Sequence, residues 1–131
     1  EPRTPADLAR HDVLIHLAAT GIADRWHFSK DGLEFPVELR GPVRTNAVYT
    51  LRECALAGLG IALLPEWFVD ADIAAGKLKL LLSEYSTQPT TVSAIHRTEL
   101  RGAPRVKVFI DHLIKTYERE AESRPHGVPV S

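Results

Sequence analysis

Hydrophobic residues follow helical spacing most clearly over positions 104–122. Apolar side chains recur there three and four positions apart, and charged side chains fill the opposite face. The apolar positions are Val106, Phe109, Ile110, Leu113, Ile114 and Tyr117. The pattern predicts an amphipathic helix that needs a hydrophobic surface to pack against. The sequence identifies no segment of the chain as that surface.

Positions 43–65 have the pattern of a short strand, a helix and a buried strand. We expect Asn46 to cap the helix, because asparagine is among the preferred N-cap residues. Gly58 is expected to end the helix, since glycine readily adopts the left-handed conformation found there. A buried strand then follows over 61–64. A strand that ends where a helix begins leaves backbone N–H groups free at the helix N-terminus.

Shorter patterns predict the remaining elements. Helices are expected over 4–11 and 66–75, strands over 13–17, 77–82 and 92–96, loops over 18–25 and 83–91, and a disordered tail over 123–131. The pair Asp31-Gly32 predicts a hairpin turn, and Pro36 places its strand at a sheet edge. Because strands alternate with helices, we expect an α/β fold with a largely parallel sheet and one hairpin.

The composition is that of a soluble globular domain. Of 131 residues, 44% are hydrophobic and 25% are charged, and the net charge is −1, which gives no support to direct nucleic-acid binding. No apolar run approaches the roughly 18 residues of a membrane span, so no membrane contact is expected. Cys54 is the single cysteine, which excludes an internal disulfide and fits a reducing, cytoplasmic compartment. The lack of methionine and of a signal peptide indicates a fragment or a processed chain.

The strand–helix junction at Thr45 and Asn46 is the leading candidate for ligand binding. Free N–H groups at a helix N-terminus bind small anions, and Thr45 and Asn46 add polar side chains beside them. The alternative is that Asn46 only caps the helix. Arg44 is a weaker candidate, because strand alternation can direct it to the other face. His16 lies on a predicted buried strand, where a hydrogen-bonded core histidine is favoured over a residue that faces a cleft.

Other chemistries find little support in the sequence. The six histidines lack the spacing of a zinc site, and Cys54 lies in mid-helix, away from the helix N-terminus that would activate a thiolate. The run Gly58-Leu59-Gly60 closes a helix, whereas a dinucleotide motif opens one. Asp70 and Asp72 are expected to lie on a solvated helical face. We therefore expect no catalytic set, no metal and no cofactor.

The order of several short segments resembles the effector-binding domain of LysR-type transcriptional regulators. The resemblance spans nearly the whole chain and depends on order and spacing more than on any single motif. The segments are Thr4-Pro5-Ala6-Asp7-Leu8-Ala9-Arg10-His11, Trp26-His27-Phe28, Thr45-Asn46, Ala57-Gly58-Leu59-Gly60-Ile61-Ala62-Leu63-Leu64-Pro65, Gly76-Lys77-Leu78, and Pro104-Arg105-Val106 with Phe109-Ile110-Asp111.

The resemblance implies an α/β, periplasmic-binding-protein-like (type 2) effector domain with a small-molecule cleft between two lobes. Residues 1–122 would be a partial effector domain, with the second lobe over about 12–97 and the return helix of the first lobe over about 98–122. The first half of lobe one and the helix-turn-helix domain that contacts DNA would lie outside this chain. Two lobe arrangements of different ligand affinity would then carry the signal.

The expected function is therefore effector sensing, not catalysis. The resemblance implies a small organic anion bound in the inter-lobe cleft through Thr45 and Asn46, with Arg44 and His16 as further candidates. It also implies a homodimer or higher homo-oligomer that contacts DNA only through the helix-turn-helix domain. This chain alone is expected to bind effector weakly. The alternatives are a solute-binding module of a transport system with the same fold class and, with less support, a small α/β enzyme.

Overall fold

In the part of the chain that the computed structural model describes, the elements are two sheets, three α-helices and one 3₁₀-helix. In chain order the elements are a 3₁₀-helix (Pro5–Arg10), β1 (Val13–Ala18), β2 (Gly21–Ile22), β3 (Arg25–Lys30), β4 (Leu33–Glu38), β5 (Val43–Thr45), α1 (Val48–Leu56), β6 (Ile61–Pro65), α2 (Glu66–Ala74), β7 (Ser86–Thr87), α3 (Pro104–Ala121) and β8 (Gly127–Val130). The structure describes residues 1–18, 21–22, 25–87, 103–121 and 127–131. It divides into two units: Glu1–Pro89 with His126–Ser131, and Thr90–Pro125.

The main sheet of the first unit is built around β1. β5 and β6 pair in parallel with β1, so the centre of the sheet agrees with the predicted parallel pairing, although the sheet as a whole is mixed. β2 pairs with the end of β1 and β8 pairs with β6, and both of these ladders are antiparallel. Because β1, β5 and β6 run in the same direction, their carboxyl ends meet at one edge of the sheet. Ligands of open α/β sheets characteristically bind at such an edge.

The second sheet has the order β4-β3-β7 and contains the predicted hairpin. Asp31 and Gly32 connect β3 to β4, and both have positive φ angles, 52° and 77°. Two consecutive positive φ angles are those of a type I′ turn, which suits the twist of a hairpin. β4 lies at the edge of the sheet, so the prediction made from Pro36 is confirmed.

Two hydrophobic clusters cover the two faces of the main sheet. The cluster shared with the β3–β4 hairpin contains Leu8, Val13, Ile15, Trp26, Phe28, Val37, Leu39, Ile61, Leu81 and Leu82. The cluster shared with α1 and α2 contains Leu14, Leu51, Ala55, Ala62, Leu64, Val69, Leu78 and Val130. Neighbouring residues of β1 alternate between the two clusters, as the side-chain period of a strand requires. The sheet is therefore buried on both faces.

The helices α1 and α2 end where the sequence predicted, but the N-cap of α1 differs from the prediction. Gly58 and Gly76 follow the two helices with φ angles of 71° and 67°, which confirms their predicted roles as helix terminators. The N-cap of α1 is Ala47 and no side chain caps the helix, so the prediction that Asn46 is the cap is wrong. The helix begins one residue later than expected, because Thr45 forms a local turn with the backbone of Ala47.

The prediction of a disordered tail is wrong for residues 127–130. They form β8, which pairs with β6 through four register pairs from Ala62↔Val130 to Pro65↔Gly127. The side chain of Val130 is fully buried. The local sequence pattern, with its proline and glycine residues, could not predict this strand. The strand is stabilised by its hydrogen bonds to β6, which lies far away in the sequence.

Three further predictions concern short segments. Gly21 and Ile22 form β2, so the loop expected over 18–25 contains a strand. The strand expected over 77–82 is reduced to a single bridge, Leu80↔Val130, and the positive φ angle of 49° at Leu82 interrupts the extended backbone. The strand expected over 92–96 lies outside the described residues.

The helix α3, in the second unit, confirms the clearest periodic pattern of the chain. Four large apolar side chains on it are exposed, namely Val108, Phe109, Leu113 and Ile114. Among the residues that the structure describes, no helix is long and apolar enough to cross a membrane.

Candidate functional site

Three of the predicted ligand-binding residues meet at the carboxyl edge of the main sheet. His16 of β1 lies opposite Thr45 of β5 in the parallel register, and Asn46 follows Thr45 directly. The Nε2 atom of His16 lies 3.3 Å from the backbone oxygen of Asn46. A carbonyl oxygen can only accept, so this hydrogen bond requires His16 to carry a proton on Nε2. His16 is thus half-buried and bonded to backbone, yet it also faces a cavity.

The N-terminus of α1 lies immediately beside this contact. The hydroxyl oxygen of Thr45 accepts a hydrogen bond from the backbone N–H of Ala47, at 3.1 Å. The first bond within the helix runs from the N–H of Leu51 to the oxygen of Ala47, so the N–H groups of residues 48–50 have no acceptor in the helix. The first turn of α1 carries no acidic residue. The local field therefore favours an anion.

Arg44 lies on the other face of the sheet from Thr45 and His16. It is paired in register with Ile15, whose side chain is buried in the cluster shared with the hairpin. Because successive side chains of a strand alternate, Arg44 is directed away from the face that carries Thr45. Its side chain is exposed.

A cavity of about 210 Å³ lies next to His16, at the same end of β1. Leu14, Trp26 and Leu63 give it an apolar wall, and His16, Arg25, His27 and Thr87 supply its polar groups. Arg25, His27 and Thr87 were not among the residues predicted from the sequence. The sequence pattern of β3 could have indicated Arg25 and His27. Alternation along the strand places these two polar residues on one face and the buried Trp26 and Phe28 on the other.

The polar groups of the cavity differ in how firmly they are already bonded. Arg25 Nη2 donates to Glu38 Oε1 at 2.7 Å, and their side chains are 55% and 76% exposed. An ion pair so open to water is weak, because the solvent screens both charges. The hydroxyl of buried Thr87 donates to the backbone oxygen of Gly127 at 2.6 Å. The ion pair of Arg25 can therefore be broken at little cost, whereas the hydroxyl of Thr87 is already used in a buried hydrogen bond.

Outside this region, the described residues form no second group suited to catalysis or metal binding. Within the described residues, no group of three or more His, Cys, Asp or Glu side chains could hold a metal ion. Cys54 is a half-buried free thiol packed against the α1–α2 cluster. A larger cleft of about 430 Å³ lies near Asp12 and Gly60, at the opposite edge of the sheet. The expectation that Asp72 is solvated is wrong, because it is buried and bonded to Arg52.

Comparison with known proteins identifies the family. The chain matches the family model described as the LysR substrate binding domain over residues 1–118, and it belongs to that family. Its fold is accordingly the type 2 periplasmic-binding-like fold, as the resemblance implied.

The relatives of the chain are transcriptional regulators. The chain is 30% identical over 115 residues to the HTH-type transcriptional regulator CrgA of Neisseria meningitidis serogroup C, covering 87% of this chain and 38% of that protein. It is 27% identical over 113 residues to the HTH-type transcriptional activator TtdR of Escherichia coli K12, covering 86% and 36%. An uncharacterized HTH-type regulator of Bacillus subtilis, YwqM, is 39% identical over 72 residues, which cover 55% of the chain and 24% of that regulator. The chain therefore spans well under half the length of these relatives.

Solved structures agree with this assignment. The regulatory domain of AphB in Vibrio vulnificus is 26% identical, with a TM-score of 0.64, and the match covers 88% of this chain and 56% of that one. The full-length virulence activator AphB of Vibrio cholerae is similar in fold, with a TM-score of 0.59 at 24% identity, over 67% of this chain and 30% of that one.

Proposed function

We propose that this chain is the effector-sensing segment of a LysR-type transcriptional regulator and that it binds a small organic anion at the carboxyl edge of its main sheet. One observation carries the proposal. The contact between His16 and the backbone of Asn46 joins the β5–α1 junction to a cavity, in a fold whose relatives are regulators. Transport, the alternative considered from sequence, has no comparable support.

The choice of an anion follows from the local charges. The N–H groups of residues 48–50 have no acceptor within the helix and point toward the junction, and no acidic side chain occupies the first turn of α1. Thr45 fixes the chain that enters the helix by accepting from Ala47. Asn46 is exposed, so its amide is available as a further donor. Arg44 contributes through its charge, from the other face of the sheet.

We further propose that residues 12–97 form the second lobe of the effector domain and that the ligand lies between this lobe and the first. A ligand can shift the regulator only by binding one lobe arrangement better than the other. The signal would then reach DNA through the helix-turn-helix domain of the intact regulator.

Ligand binding can be tested on this chain by NMR titration of the backbone amides. A panel of small carboxylates should shift the amide signals of residues 45–50, whereas the matching neutral carboxamides should not. The double variant Thr45→Val, Asn46→Ala should weaken binding by about tenfold or more, since hydrogen bonds to a charged group are the strong ones. Thr116→Val, the same chemical change on α3 and outside the site, serves as the control. Carboxylate binding that survives the double variant unchanged would refute the site.

We also propose that the chain self-associates through α3. Its residues Val106, Phe109, Leu113 and Ile114 lie along one side of the helix and form an apolar surface of the kind that marks interaction sites, and the last three of them are exposed. Light scattering at increasing concentration should give a dimer or larger species, and Phe109→Lys should shift the equilibrium toward monomer. Leu33→Lys, an equally exposed leucine on β4, should leave the equilibrium unchanged. A clean monomer at high concentration would contradict the proposal.

A further inference from the structure

We propose that two copies of this chain exchange β8, so that β8 of each copy fills a strand-binding groove in the other. The groove lies between β6 and residues 79–81, and β8 forms backbone hydrogen bonds with both sides of it. The inference rests on the proposed self-association through α3, and it identifies a second contact that completes the dimer. Exchange of an identical element is a low-cost route to a dimer, because every contact it needs already exists in the single chain.

The groove binds a strand through backbone on two sides and through one buried side chain. Along β6, four register pairs run antiparallel to β8. On the other side, the N–H of Lys79 donates to the oxygen of Ser131 at 2.9 Å. The N–H of Leu81 donates to the oxygen of Pro129, also at 2.9 Å. The side chain of Val130 is fully buried. Main-chain bonds give affinity to an added strand and buried side chains give it specificity, so the groove is suited to this sequence.

The chain reaches β8 only after it has formed a separate unit. It leaves the first unit after Pro89 and returns at His126, and the residues between them form the second unit, which contains α3. In the sequence, residues 122–126 alone separate α3 from β8. Pairing of two copies through α3 therefore raises the local concentration of each β8 at the groove of the other copy, because so short a connection allows little separation.

The apolar side of α3 is too small to hold a dimer by itself. A stable interface buries about 800 Å² on each partner and takes about 20 to 30 residues from each side. The apolar side of α3 offers Val106, Phe109, Leu113 and Ile114, and the last two are only 40% and 48% exposed. An exchanged β8 supplies further contacts, since its ladder with β6 and the buried Val130 then belong to the interface.

Disulfide trapping tests the exchange, because it shows which chain supplies the β8 beside each β6. Pro65 and Gly127 are partners in the antiparallel register, and opposite Cα atoms in such a ladder lie about 4.5 to 5.5 Å apart, within the range of a disulfide. A Cβ atom at Gly127 would lie 3.5 Å from the side chain of Leu63, an ordinary contact, so a cysteine fits there. The complete chain is therefore prepared with Pro65→Cys and Gly127→Cys, and with Cys54→Ser to remove the native thiol.

After oxidation, a denaturing gel without reductant should show a disulfide-linked dimer as the main product, and reductant should return it to monomer. Phe109→Lys in the same background weakens pairing through α3 and should shift the product toward internally linked monomer, whereas Leu33→Lys should not. The control pair Arg25→Cys, Glu38→Cys joins β3 to β4 within one chain and should give only internally linked monomer.

A mixture of two single variants provides an independent measurement. One chain carries only Pro65→Cys and the other, of different length through a tag, carries only Gly127→Cys, both with Cys54→Ser. Unfolded and refolded together, they should form a disulfide between the two different chains. A refolded mixture without this product would contradict the exchange.

The outcomes separate the exchange from the proposed self-association. A dimer in light scattering, together with internally linked monomer alone on the gel, would overturn the exchange and leave pairing through α3 standing. The absence of any disulfide under conditions that link the control pair would also overturn the exchange, because β8 would then not lie beside β6. A monomer by light scattering with internally linked monomer on the gel would overturn both. The amide shifts of residues 45–50 test effector binding separately.

Discussion

At the scale of single residues, the carboxylate of Asp7 shows how one side chain fixes the start of an element. One of its oxygens accepts hydrogen bonds from the backbone N–H of Thr4 at 2.9 Å, from that of Arg3 at 3.0 Å and from the Thr4 hydroxyl at 3.0 Å. The bond from the Thr4 backbone is the largest cause of the lowered pKa of Asp7, because hydrogen bonds to a carboxylate stabilise its charged form.

The lowered pKa makes the contribution of Asp7 to stability depend on pH. A group with a lowered folded-state pKa stabilises the fold above its unfolded pKa and loses this contribution as the pH falls through the folded value. Asp7→Asn should therefore be less stable than the parent chain at pH 7, with the difference shrinking below the ordinary aspartate pKa of 3.8. Urea unfolding at several pH values measures it. A difference that stayed constant with pH would contradict this account, and Glu34→Gln provides an exposed control.

At the scale of elements, α1 and α2 are joined by a buried ion pair. Arg52 Nε and Nη2 donate to the two carboxylate oxygens of Asp72 at 2.6 and 2.8 Å, a bidentate geometry that lysine cannot reproduce. The side chain of Asp72 is only 6% exposed. The hydrogen bond to Asp72 is the main cause of the raised pKa of Arg52. Arg52 also lies over the ring of Phe68, 5.9 Å from its centroid.

Breaking this pair from the arginine side should destabilise the fold strongly, since it leaves a buried carboxylate without a partner. Arg52→Gln is expected to lower the thermal midpoint by several degrees. Arg25→Gln removes one partner of an exposed pair and should change the midpoint little.

A second variant shows whether the lower thermal midpoint is caused by the unpaired charge of Asp72 or by the lost packing of Arg52. Arg52→Leu combined with Asp72→Leu removes both charges and should recover part of the lost stability, because apolar pairs of similar volume often replace buried ion pairs. Thermal unfolding followed by circular dichroism gives all the midpoints. If the double variant were no more stable than Arg52→Gln alone, the unpaired charge would not be the cause.

At the scale of the whole molecule, β8 connects the end of the chain to the core of the first unit. Its ladder with β6 extends the main sheet by one strand, and Val130 packs in the cluster shared with α1 and α2. Further backbone bonds link Lys79 with Ser131 and Leu81 with Pro129. Through β8, residues that are far apart in the sequence pack together in one hydrophobic core.

Val130→Ala should lower the free energy of unfolding by about 2 kcal/mol, from the buried methyl groups lost and the space left behind. Val108→Ala removes the same groups from an exposed position of α3 and should change it by less than about 0.5 kcal/mol. Urea unfolding curves of the two variants give the comparison. Equal effects would show that β8 adds little to the core.

The position of the candidate site followed from the sequence, but its composition did not. A strand that leads into a helix predicted the junction at Thr45 and Asn46, and the parallel register placed His16 there. The partner of His16, however, is the backbone of Asn46 and not its side chain. Arg25 and His27 line the cavity from a strand of the second sheet. The spacing of residues along the chain could not show that the second sheet lies beside this end of β1.

What the sequence by itself determined are features that depend on near neighbours. The apolar period of α3, the glycines that follow α1 and α2, and the Asp31-Gly32 turn are each set by local sterics and by the side-chain period of the element. Tertiary structure decided β8, the burial of Asp72 and the cavity beside His16. Each of these depends on contacts between segments distant in the chain, and such contacts form only when the register of the sheets and the packing of the helices bring the segments together.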